Sequence, residues 1–323
     1  MSNPRTDNDV KTTTATTTTA SSSISFSSNK DNQIHILTTL QHHFVNEEDA
    51  RATDDPSIDP PSNLINTWKS LNATLLRLHA RRILDAASAL GWTAVLEQRP
   101  RLDLDLGPLI EQAARAQLFR PHGTTPPPER GGMVSARVRV LVSETSLITI
   151  ELVPMGPGST LGPKLRSCIE NYTANPFGSM ASRADMNVPV PVPPSRVVVD
   201  SRPTLPSVFT RHKTTRRDVY DEARGRPDPP LRPTTLPTEG EVLLFNPAGE
   251  IMEASMSSVY FLRDGLWVTP RQEAGGMQSV TRMYALEKGW CVEGVVVKDS
   301  MRQGEVIWLS NAVRGFFQGR ICL

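Results

Sequence analysis

Apolar positions along the first half of the chain recur with two different periods. Between Asn63 and Leu90 they return every three or four residues, which predicts a long amphipathic helix that ends at Gly91. A second, shorter helix is predicted over residues 107–118. Shorter runs, alternating or rich in β-branched residues, predict strands at Ile34–Leu40, Val134–Ser143 and Ser146–Val153. The last two strands are close in sequence, so we predict that they form a hairpin.

The second half of the chain is dense in predicted strands. Its short apolar runs are separated by turn residues, such as those of Asn246–Gly249 and Arg263–Gly265. The predicted strands are Val197–Asp200, Glu241–Phe245, Ile251–Met256, Val259–Leu262, Leu266–Thr269, Cys291–Lys298 and Val306–Leu309. The chain shows no internal repeat.

Segments of biased composition separate these regions. Residues 1–32 are rich in threonine and serine and have no apolar periodicity, so we predict a disordered tail. Residues 44–62 are acidic and carry a proline pair near their end, which predicts a loop or an insertion. Residues 156–195 are rich in glycine, proline, serine and asparagine, although Leu165–Tyr172 within them fits a short helix.

The proline-rich run at residues 189–194 predicts a stiff connector and a domain boundary. We therefore predict a small α/β domain over residues 33–195, which includes the insertions, and a larger, strand-rich domain over residues 196–323. A chain of 323 residues is long enough for two domains with sizeable cores.

Composition and charge exclude several classes of function. The formal net charge of +1 provides no global field that would attract nucleic acid or a membrane surface. No run of 18 apolar residues is present, so no membrane span is predicted. The three cysteines are widely spaced and no signal peptide precedes them, which predicts free thiols and a cytoplasmic protein. The cysteines and the six histidines have no metal-ligand spacing, so no metal site is predicted.

The most informative motif surrounds Lys213, in the run His-Lys-Thr-Thr-Arg-Arg-Asp-Val-Tyr-Asp-Glu-Ala-Arg at residues 212–224. It is followed by Glu-Ala-Ser-Met-Ser-Ser-Val-Tyr-Phe from Glu253 onwards, and by a hairpin that ends in Thr-Pro at Pro270. Alone, Lys213 fits an ordinary solvated position. A lysine at a strand end, a glutamate in a strand and this hairpin, in this order, resemble the class IV pyridoxal-phosphate enzymes. That family includes branched-chain and D-amino-acid transaminases and aminodeoxychorismate lyases.

The resemblance implies a fold of type IV, a mixed α/β (α+β) architecture with a small α/β domain and a larger, strand-rich pseudo-barrel domain. It implies that Lys213 binds pyridoxal 5′-phosphate through its amine, which is nucleophilic once deprotonated. It also implies that Glu253 faces the pyridine nitrogen of this cofactor. Sites in the family are built at a dimer interface, so the resemblance implies a homodimer.

The same resemblance implies that two segments bind the phosphate of the cofactor. One lies in the long helix, and the other lies at the start of a later helix. His79-Ala-Arg-Arg-Ile is similar to the family's His-x-x-Arg-Leu, which puts Arg82 at the position of the phosphate-binding arginine. The run Gly276–Arg282 is similar to a loop whose backbone amides, here those of Val280 and Thr281, open a helix at the phosphate.

Two further features of the phosphate site follow from the resemblance. Ser279 stands where the family has a glycine, which narrows the backbone conformations available to the loop. The run Trp-Leu-Ser-Asn-Ala from Trp308 is similar to the family's closing strand and turn, which implies that Ser310 or Asn311 contacts the phosphate.

Within the family, the residues that follow Lys213 favour the lyases. Branched-chain transaminases resemble Lys-x-x-x-Asn-Tyr, whereas this chain has Arg217 and Asp218 at the last two positions. Aminodeoxychorismate lyases resemble Lys-x-x-x-Arg instead. Thr38 and the threonine after it are similar to a pair in the lyases' small-domain strand, although Gln41 replaces the arginine that follows that pair.

These resemblances predict a lyase that converts 4-amino-4-deoxychorismate into 4-aminobenzoate and pyruvate, a step of folate biosynthesis. The substrate is a small molecule with two carboxylates, so Arg217, His212 and Thr38 are expected on the substrate side of the site. Two alternatives stay open. One is a class IV amino-acid transaminase of the D-amino-acid or branched-chain type, which would use the same lysine. The other is a degenerate family member that keeps the fold without turnover.

Overall fold

The described residues form two β-sheets with helices packed on them and between them. The structure is a computed structural model that describes residues 14–17, 33–45, 61–118, 132–155, 159–178 and 193–323. The α-helices in these ranges are α1 (Pro61–Leu90), α2 (Thr93–Glu97), α3 (Arg99–Gln117), α4 (Leu161–Thr173), α5 (Val208–Arg211), α6 (Asp218–Gly225) and α7 (Val280–Glu287). The strands are β1 (Thr14–Thr17), β2 (Ile36–Val45), β3 (Gly132–Val142), β4 (Ile148–Pro154), β5 (Ser159–Thr160), β6 (Ser195–Val199), β7 (Gly240–Phe245), β8 (Ile251–Ala254), β9 (Ser258–Arg263), β10 (Leu266–Pro270), β11 (Val292–Gly294), β12 (Val306–Asn311) and β13 (Gly315–Cys322).

The smaller sheet is antiparallel and has the order β1-β4-β3-β2, with β5 paired to β3. Alternate residues of β2 and β3, such as Leu40, Val138 and Val140, face one side of the sheet. They pack there against apolar side chains of α1 and α3, including Ile83 and Ile110. The predicted long helix, the first strand and the hairpin are all confirmed. In each element the spacing of the apolar residues matches the helix or strand that forms.

Two elements of this region are longer than the sequence predicts. Strand β2 continues five residues past Leu40, because its ten-residue register with β3 supplies backbone hydrogen bonds that do not depend on apolar side chains. Its polar members find partners: His42 lies 3.1 Å from Glu111, and His43 lies 2.8 Å from Ser135. Helix α3 begins eight residues before the predicted start and runs through Pro108.

Part of the predicted disordered tail has a regular conformation. Strand β1, formed by four tail residues, pairs antiparallel with β4 at the edge of the smaller sheet. The prediction was wrong for these residues because an open sheet edge binds another strand through its backbone, so no apolar periodicity is needed. The rest of the tail, most of the 44–62 segment and residues 179–192 of the proline-rich region lie outside the described residues.

The larger sheet has the order β11-β10-β9-β12-β13-β6-β7-β8 and curls into a pseudo-barrel. The chain after β11 brings the two ends of the sheet together, because Ile251 donates a hydrogen bond to the carbonyl of Val296 and Lys298 donates one to Gly249. The apolar interior contains side chains from most of these strands, among them Leu243 and Phe261. The mixed α/β fold class with a strand-rich pseudo-barrel is thereby confirmed.

Two strands of the larger sheet differ from the sequence prediction. The predicted strand Cys291–Lys298 is paired with β10 only over Val292–Gly294, because the chain then leaves β10 for the opposite edge. Strand β13 was missed, since glycine and polar residues interrupt its apolar pattern. It is nevertheless central, lying between β12 and β6.

A continuous apolar cluster joins the two sheets. Trp68 and Leu78 of α1 and Leu165 of α4 pack in it with Tyr284 of α7 and Phe316 of β13. This packing fixes α1 beside α7, so that side chains from both regions of the chain can meet between the sheets. No helix in the described ranges combines the length and the apolar character needed to cross a membrane.

Candidate active site

The segment that carries Lys213 lies between the two sheets. Helix α5 begins at a capping box, in which Ser207 and Thr210 bond each other's backbone amides. Lys213 follows this helix in an extended segment, so the expected strand end is instead a short stretch that pairs with β2 of the other sheet. The carbonyl of Lys213 accepts a hydrogen bond from the amide of Leu37 at 2.9 Å, and Thr215 donates to His35 at 2.9 Å.

The environment of Lys213 favours a neutral amine. Burial lowers the pKa of Lys213 to about 7, helped by the positive charges of Arg217, Arg82 and Arg139 and opposed by Glu253. A lysine at its ordinary pKa is almost fully protonated at neutral pH and therefore a poor nucleophile. Here a large fraction of the amine is available to attack an electrophile or to carry a proton near pH 7.

Glu253 faces the same space from β8. It is 6% exposed, and burial raises the pKa of its carboxyl to about 7. The Tyr220 hydroxyl, which donates to its Oε1 atom at 2.7 Å, opposes that shift, as do the backbone amide of Met277 and the charges of Lys213 and Arg217. The carboxylate is therefore held by two donors and lies close to two cationic side chains.

Gly276 allows the Met277 amide to reach this carboxylate. A methyl group on Gly276 would lie 2.4 Å from the carbonyl oxygen of Met252, so no larger residue fits without moving β8 or the loop. This close approach explains why the run Gly276–Arg282 begins with a glycine.

Arg82 projects from α1 towards the same region and is 6% exposed. One terminal nitrogen donates to the Thr38 hydroxyl at 2.6 Å and to the carbonyl of Leu37 at 3.4 Å. Its Nε atom is buried and has no hydrogen-bond partner among the described residues. Burial lowers the pKa of Arg82 to about 10, opposed by the charge of Glu253, so the guanidinium stays positive at neutral pH.

Thr38 supports Arg82 from β2 and is fully buried. Besides Arg82, its hydroxyl contacts His79 Nδ1 at 2.6 Å. Burial, followed by the charge of Arg82, lowers the pKa of His79 well below its ordinary value, so the ring is neutral. The hydroxyl can accept from Arg82 while it donates to His79. The Thr38 hydroxyl is thus engaged by Arg82 and His79, and its expected contact with the substrate stays a prediction.

Helix α7 begins at the place where the sequence predicts a helix opening. Ser279 is its N-cap, and its hydroxyl accepts a hydrogen bond from the amide of Arg282 at 3.1 Å. The backbone of Ser279 is extended, with φ −77° and ψ 154°, a conformation open to any residue. The serine therefore replaces the family glycine without strain, and the amides of Val280 and Thr281 remain in the first turn, where no intrahelical partner exists.

A chain of buried hydroxyl groups lies beneath this helix start. Ser310 donates to Thr281 at 2.8 Å and contacts the hydroxyl of Tyr260 at 2.8 Å, while Ser279 contacts Ser258 at 2.6 Å. Both Thr281 and Ser310 are fully buried. The side chain of Asn311 accepts from the amides of Val313 and Arg314, so it shapes the turn between β12 and β13.

A cavity of about 260 Å³ adjoins this side of the site, between α1, α4, α7 and the turn after β12. His79 and Val280 belong to its lining, whereas Lys213 and Glu253 do not. The cavity is thus beside the proposed reacting groups and does not contain them.

Arg217 and His212, which are predicted to bind the substrate, lie on different sides of the site. Arg217 is partly exposed; it donates to the carbonyl of Ser255 at 3.4 Å and lies over the Tyr220 ring at 5.2 Å. His212 is partly buried, and burial lowers its pKa, an effect that Asp85 of α1 opposes and Arg211 reinforces. Arg217 is therefore on the side of Glu253, and His212 is on the side of α1.

Two residues of the site were missed by sequence reasoning. Tyr220 lies one helical turn after Arg217 on α6, and that spacing was the available signal. Arg139 acts on Lys213 from β3 and forms an ion pair with Glu151 at 2.6 Å. The alternation of Arg137 and Arg139 with valines predicts a shared polar face, but the sequence does not show what that face meets.

Comparisons with known proteins agree with this geometry. Residues 169–322 match the family model described as Amino-transferase class IV. The chain is 31% identical over 196 residues to aminodeoxychorismate lyase of Saccharomyces cerevisiae, a match that covers 57% of this chain and 51% of that relative. A relative from Schizosaccharomyces pombe, provisionally given the same lyase name, is 32% identical over 133 residues, covering 39% of this chain and 54% of its own. The matches thus span about half the length of each relative.

The fold comparison extends over most of the chain. A solved structure provisionally named an amino-acid aminotransferase, from Mesorhizobium loti, has a TM-score of 0.50 and 18% identity, covering 90% of this chain and all of its own. At this identity the likeness concerns the fold alone. The family match over residues 169–322 includes Lys213, Glu253, α7 and the turn after β12, so this part of the chain is similar in sequence to the class IV aminotransferases.

Proposed function

We propose that this protein is a pyridoxal-phosphate-dependent lyase that converts 4-amino-4-deoxychorismate into 4-aminobenzoate and pyruvate. The observation that carries the proposal is the meeting of Lys213, Glu253 and Arg82 between the two sheets. Each of these side chains is coupled electrostatically to at least one of the others. The names of the two lyase relatives support the choice of reaction.

The residues present fit the cofactor. The buried Nε atom of Arg82 has no partner among the residues that the structure describes and can donate to a phosphate oxygen. The first-turn amides of α7, which have no intrahelical partner, are suited to the same anion. Lys213 supplies an amine that is partly neutral near pH 7, and Glu253 supplies a carboxylate for a protonated ring nitrogen. When bound, pyridoxal phosphate supplies an aldehyde and a ring that withdraws electrons from the bonds of an attached amine.

The chain's own residues account for binding and proton transfer. Arg82 and the first turn of α7 would hold the phosphate, with Thr38 and His79 fixing the arginine from behind. Lys213 would take the proton from the substrate ring and return a proton to the departing enolpyruvyl group. Both tasks suit an amine whose pKa is about 7, since it exchanges protons readily at neutral pH.

Two arginines near Lys213 suit a substrate with two carboxylates. The positive charges of Arg217 and Arg139 both lower the pKa of the Lys213 amine, which supports a position for them close to the substrate. Arg217 is only partly exposed and is anchored by Ser255 and Asp221, so its position is constrained. We propose Arg217 as the main carboxylate contact and Arg139 as a second. His212 stays a candidate on the α1 side.

The position that would carry the tyrosine of branched-chain transaminases supports the lyase. Asp218 is exposed there and forms a surface ion pair with Arg216 at 3.1 Å, so it offers nothing to the cofactor. A class IV transaminase would use the same lysine, glutamate and arginine, and the assay must therefore separate the two reactions. We also propose, from the resemblance alone, that the protein acts as a homodimer.

The test is the conversion of aminodeoxychorismate without any keto acid. We expect equal amounts of 4-aminobenzoate, read by its fluorescence, and pyruvate, read by reduction with lactate dehydrogenase. Borohydride reduction of the cofactor-loaded protein should leave the label on Lys213. Lys213→Ala should lose the label and nearly all turnover. Lys288→Ala is the matched control, because Lys288 is exposed and lies over the Tyr284 ring, away from the site.

Two outcomes would overturn the proposal. Silence on aminodeoxychorismate, with conversion of an amino acid only when a keto acid is added, would establish the transaminase. Absence of any borohydride label would show a family member without the cofactor.

A further inference from the structure

The hydroxyl of Tyr220 joins three elements around the proposed site. Tyr220 lies on α6 and is 2% exposed. Its hydroxyl is 2.7 Å from Glu253 Oε1 on β8 and 3.2 Å from the carbonyl of Thr210 on α5. Thr210 stands three residues before Lys213 in the chain. One buried group therefore contacts both the proposed ring-nitrogen carboxylate and the helix that leads to the proposed cofactor lysine.

The hydroxyl has a single proton and two acceptors. When Glu253 is ionised, the Tyr220 hydroxyl donates its hydrogen bond to the carboxylate, since hydrogen bonds to charged acceptors are shorter and stronger. The observed distances agree, because the contact with Glu253 is the shorter of the two. When Glu253 is protonated, it can donate to the tyrosine oxygen, and the hydroxyl can turn to the Thr210 carbonyl. Neither protonation state then leaves a buried polar group unpaired.

The charges that face Glu253 come from several elements. Lys213 and Arg217 favour its ionised form, the Met277 amide donates to it, and Arg82 approaches from α1. Tyr220 itself remains a donor, because burial and the neighbouring Glu253 raise its pKa well above the ordinary value. Of these groups, Tyr220 is the neutral side chain whose hydrogen bond opposes the effect of burial on Glu253.

We propose that Tyr220 is a positioning residue that orients the carboxylate of Glu253 and keeps it ionised, and thereby sets the acid limit of the enzyme. The inference rests on the proposed function, in which Glu253 must be anionic to hold a protonated ring nitrogen. Burial raises the pKa of Glu253, and the hydrogen bond from Tyr220 opposes this effect. Without the hydroxyl, the carboxyl of Glu253 should therefore take up its proton at a higher pH. The acid limb of activity should move in the same direction.

The test compares Tyr220→Phe with Tyr284→Phe. Tyr284 is the matched control, because it is also a buried tyrosine, and its hydroxyl donates at 2.7 Å to the carbonyl of Tyr172, away from the site. In the cofactor-free protein, infrared difference spectra follow the protonation of Glu253 with pH, and the band is assigned by its loss in Glu253→Gln. We expect the midpoint to rise by about 1 to 2 pH units in Tyr220→Phe, and to stay in place in Tyr284→Phe.

The loaded enzyme gives a second readout. The acid limb of kcat/KM should shift upward in Tyr220→Phe by a similar amount, while the rate on the plateau changes less. If Tyr220→Phe does not fold, the wild-type protein with ring-labelled tyrosine replaces it. A tyrosine C–O band should then change over the same pH range as the Glu253 band and be constant in Glu253→Gln.

An unmoved midpoint in Tyr220→Phe, or a Glu253 titration without any tyrosine change, would overturn the inference. Its failure is separable from that of the proposed function. A protein that makes aminobenzoate but keeps its acid limb in Tyr220→Phe refutes the role of Tyr220 alone. A protein in which the Glu253 midpoint moves, but which neither binds the cofactor nor makes aminobenzoate, refutes the proposed function and leaves the contact intact.

Discussion

Replacement of Arg82 by methionine gives a direct measure of the proposed phosphate contact. Methionine is unbranched and of similar length, so it fills most of the buried volume while removing the charge and the donors. The loss of Arg82 leaves Thr38 satisfied, because its hydroxyl still contacts His79 at 2.6 Å. The change therefore removes the phosphate donor with little damage to the network behind it.

The expected magnitude follows from the buried Nε atom of Arg82, which has no partner within the described ranges. A hydrogen bond to a charged group contributes about 1.5–3 kcal/mol, and each 1.4 kcal/mol changes an equilibrium constant about tenfold. Arg82→Met should therefore bind pyridoxal phosphate roughly 10- to 150-fold more weakly. Pyridoxal, which lacks the phosphate, should bind equally well to both proteins. Quenching of tryptophan fluorescence during titration of the cofactor-free protein measures both affinities.

Arg81 provides the control on the same helix. Its side chain is 53% exposed and lies 3.8 Å from Asp85 and 3.6 Å from Glu287. Exposed ion pairs of this kind contribute about 0–1 kcal/mol to stability. Arg81→Met should therefore keep its cofactor affinity. Equal losses in the two variants, or a loss for pyridoxal as large as for pyridoxal phosphate, would refute the assignment of Arg82 to the phosphate.

Three further outcomes are expected. Glu253→Gln should still bind the cofactor but turn over roughly 100-fold more slowly or worse, as for a lost electrostatic stabiliser; an unchanged kcat would contradict the assignment. Burial raises the pKa of Glu253 from 4.5 to about 7, so between these values the folded protein holds a proton that the unfolded chain has released. The free energy of unfolding of the cofactor-free protein should therefore fall as the pH rises through that window. Urea titrations at several pH values should show a smaller dependence of this free energy on pH in Glu253→Gln. Gly276→Ala should lower the melting temperature and weaken cofactor binding, because its methyl group meets the Met252 carbonyl, whereas Gly178→Ala, whose nearest contact is 3.7 Å away, should be mild; similar melting temperatures would contradict the close approach.

Local sequence patterns were enough to predict the helices and strands that bury one face. Helix α1 was predicted because its apolar residues keep the helical period over almost its whole length, and the hairpin of β3 and β4 because its strands alternate. The candidate site was predictable as a set of residues through the resemblance of the motifs around Lys213, Glu253 and Arg82. These signals lie within short stretches, where neighbouring residues constrain one another directly.

Contacts between distant segments decided the rest. Strand β13 carries two glycines and polar residues, and it forms because β12 and β6 lie on either side of it. Strand β1 forms because β4 offers an open edge, although its own residues show no apolar pattern. The pairing of β1 with β4 and that of β13 with β6 join segments more than 100 residues apart, so the strand's own sequence does not reveal these hydrogen bonds.

The same limit applies to the chemistry of the site. The sequence by itself determined that this chain has a lysine, a glutamate and an arginine in a recognisable order. The tertiary structure decided that Lys213 has a pKa of about 7, because burial and the charges of Arg217 and Arg82 act on it through space. It also decided that Thr38 lies behind Arg82 and that Tyr220 meets Glu253. Desolvation and charge act over a few ångströms of space irrespective of sequence distance, so they are fixed only when the two sheets pack together.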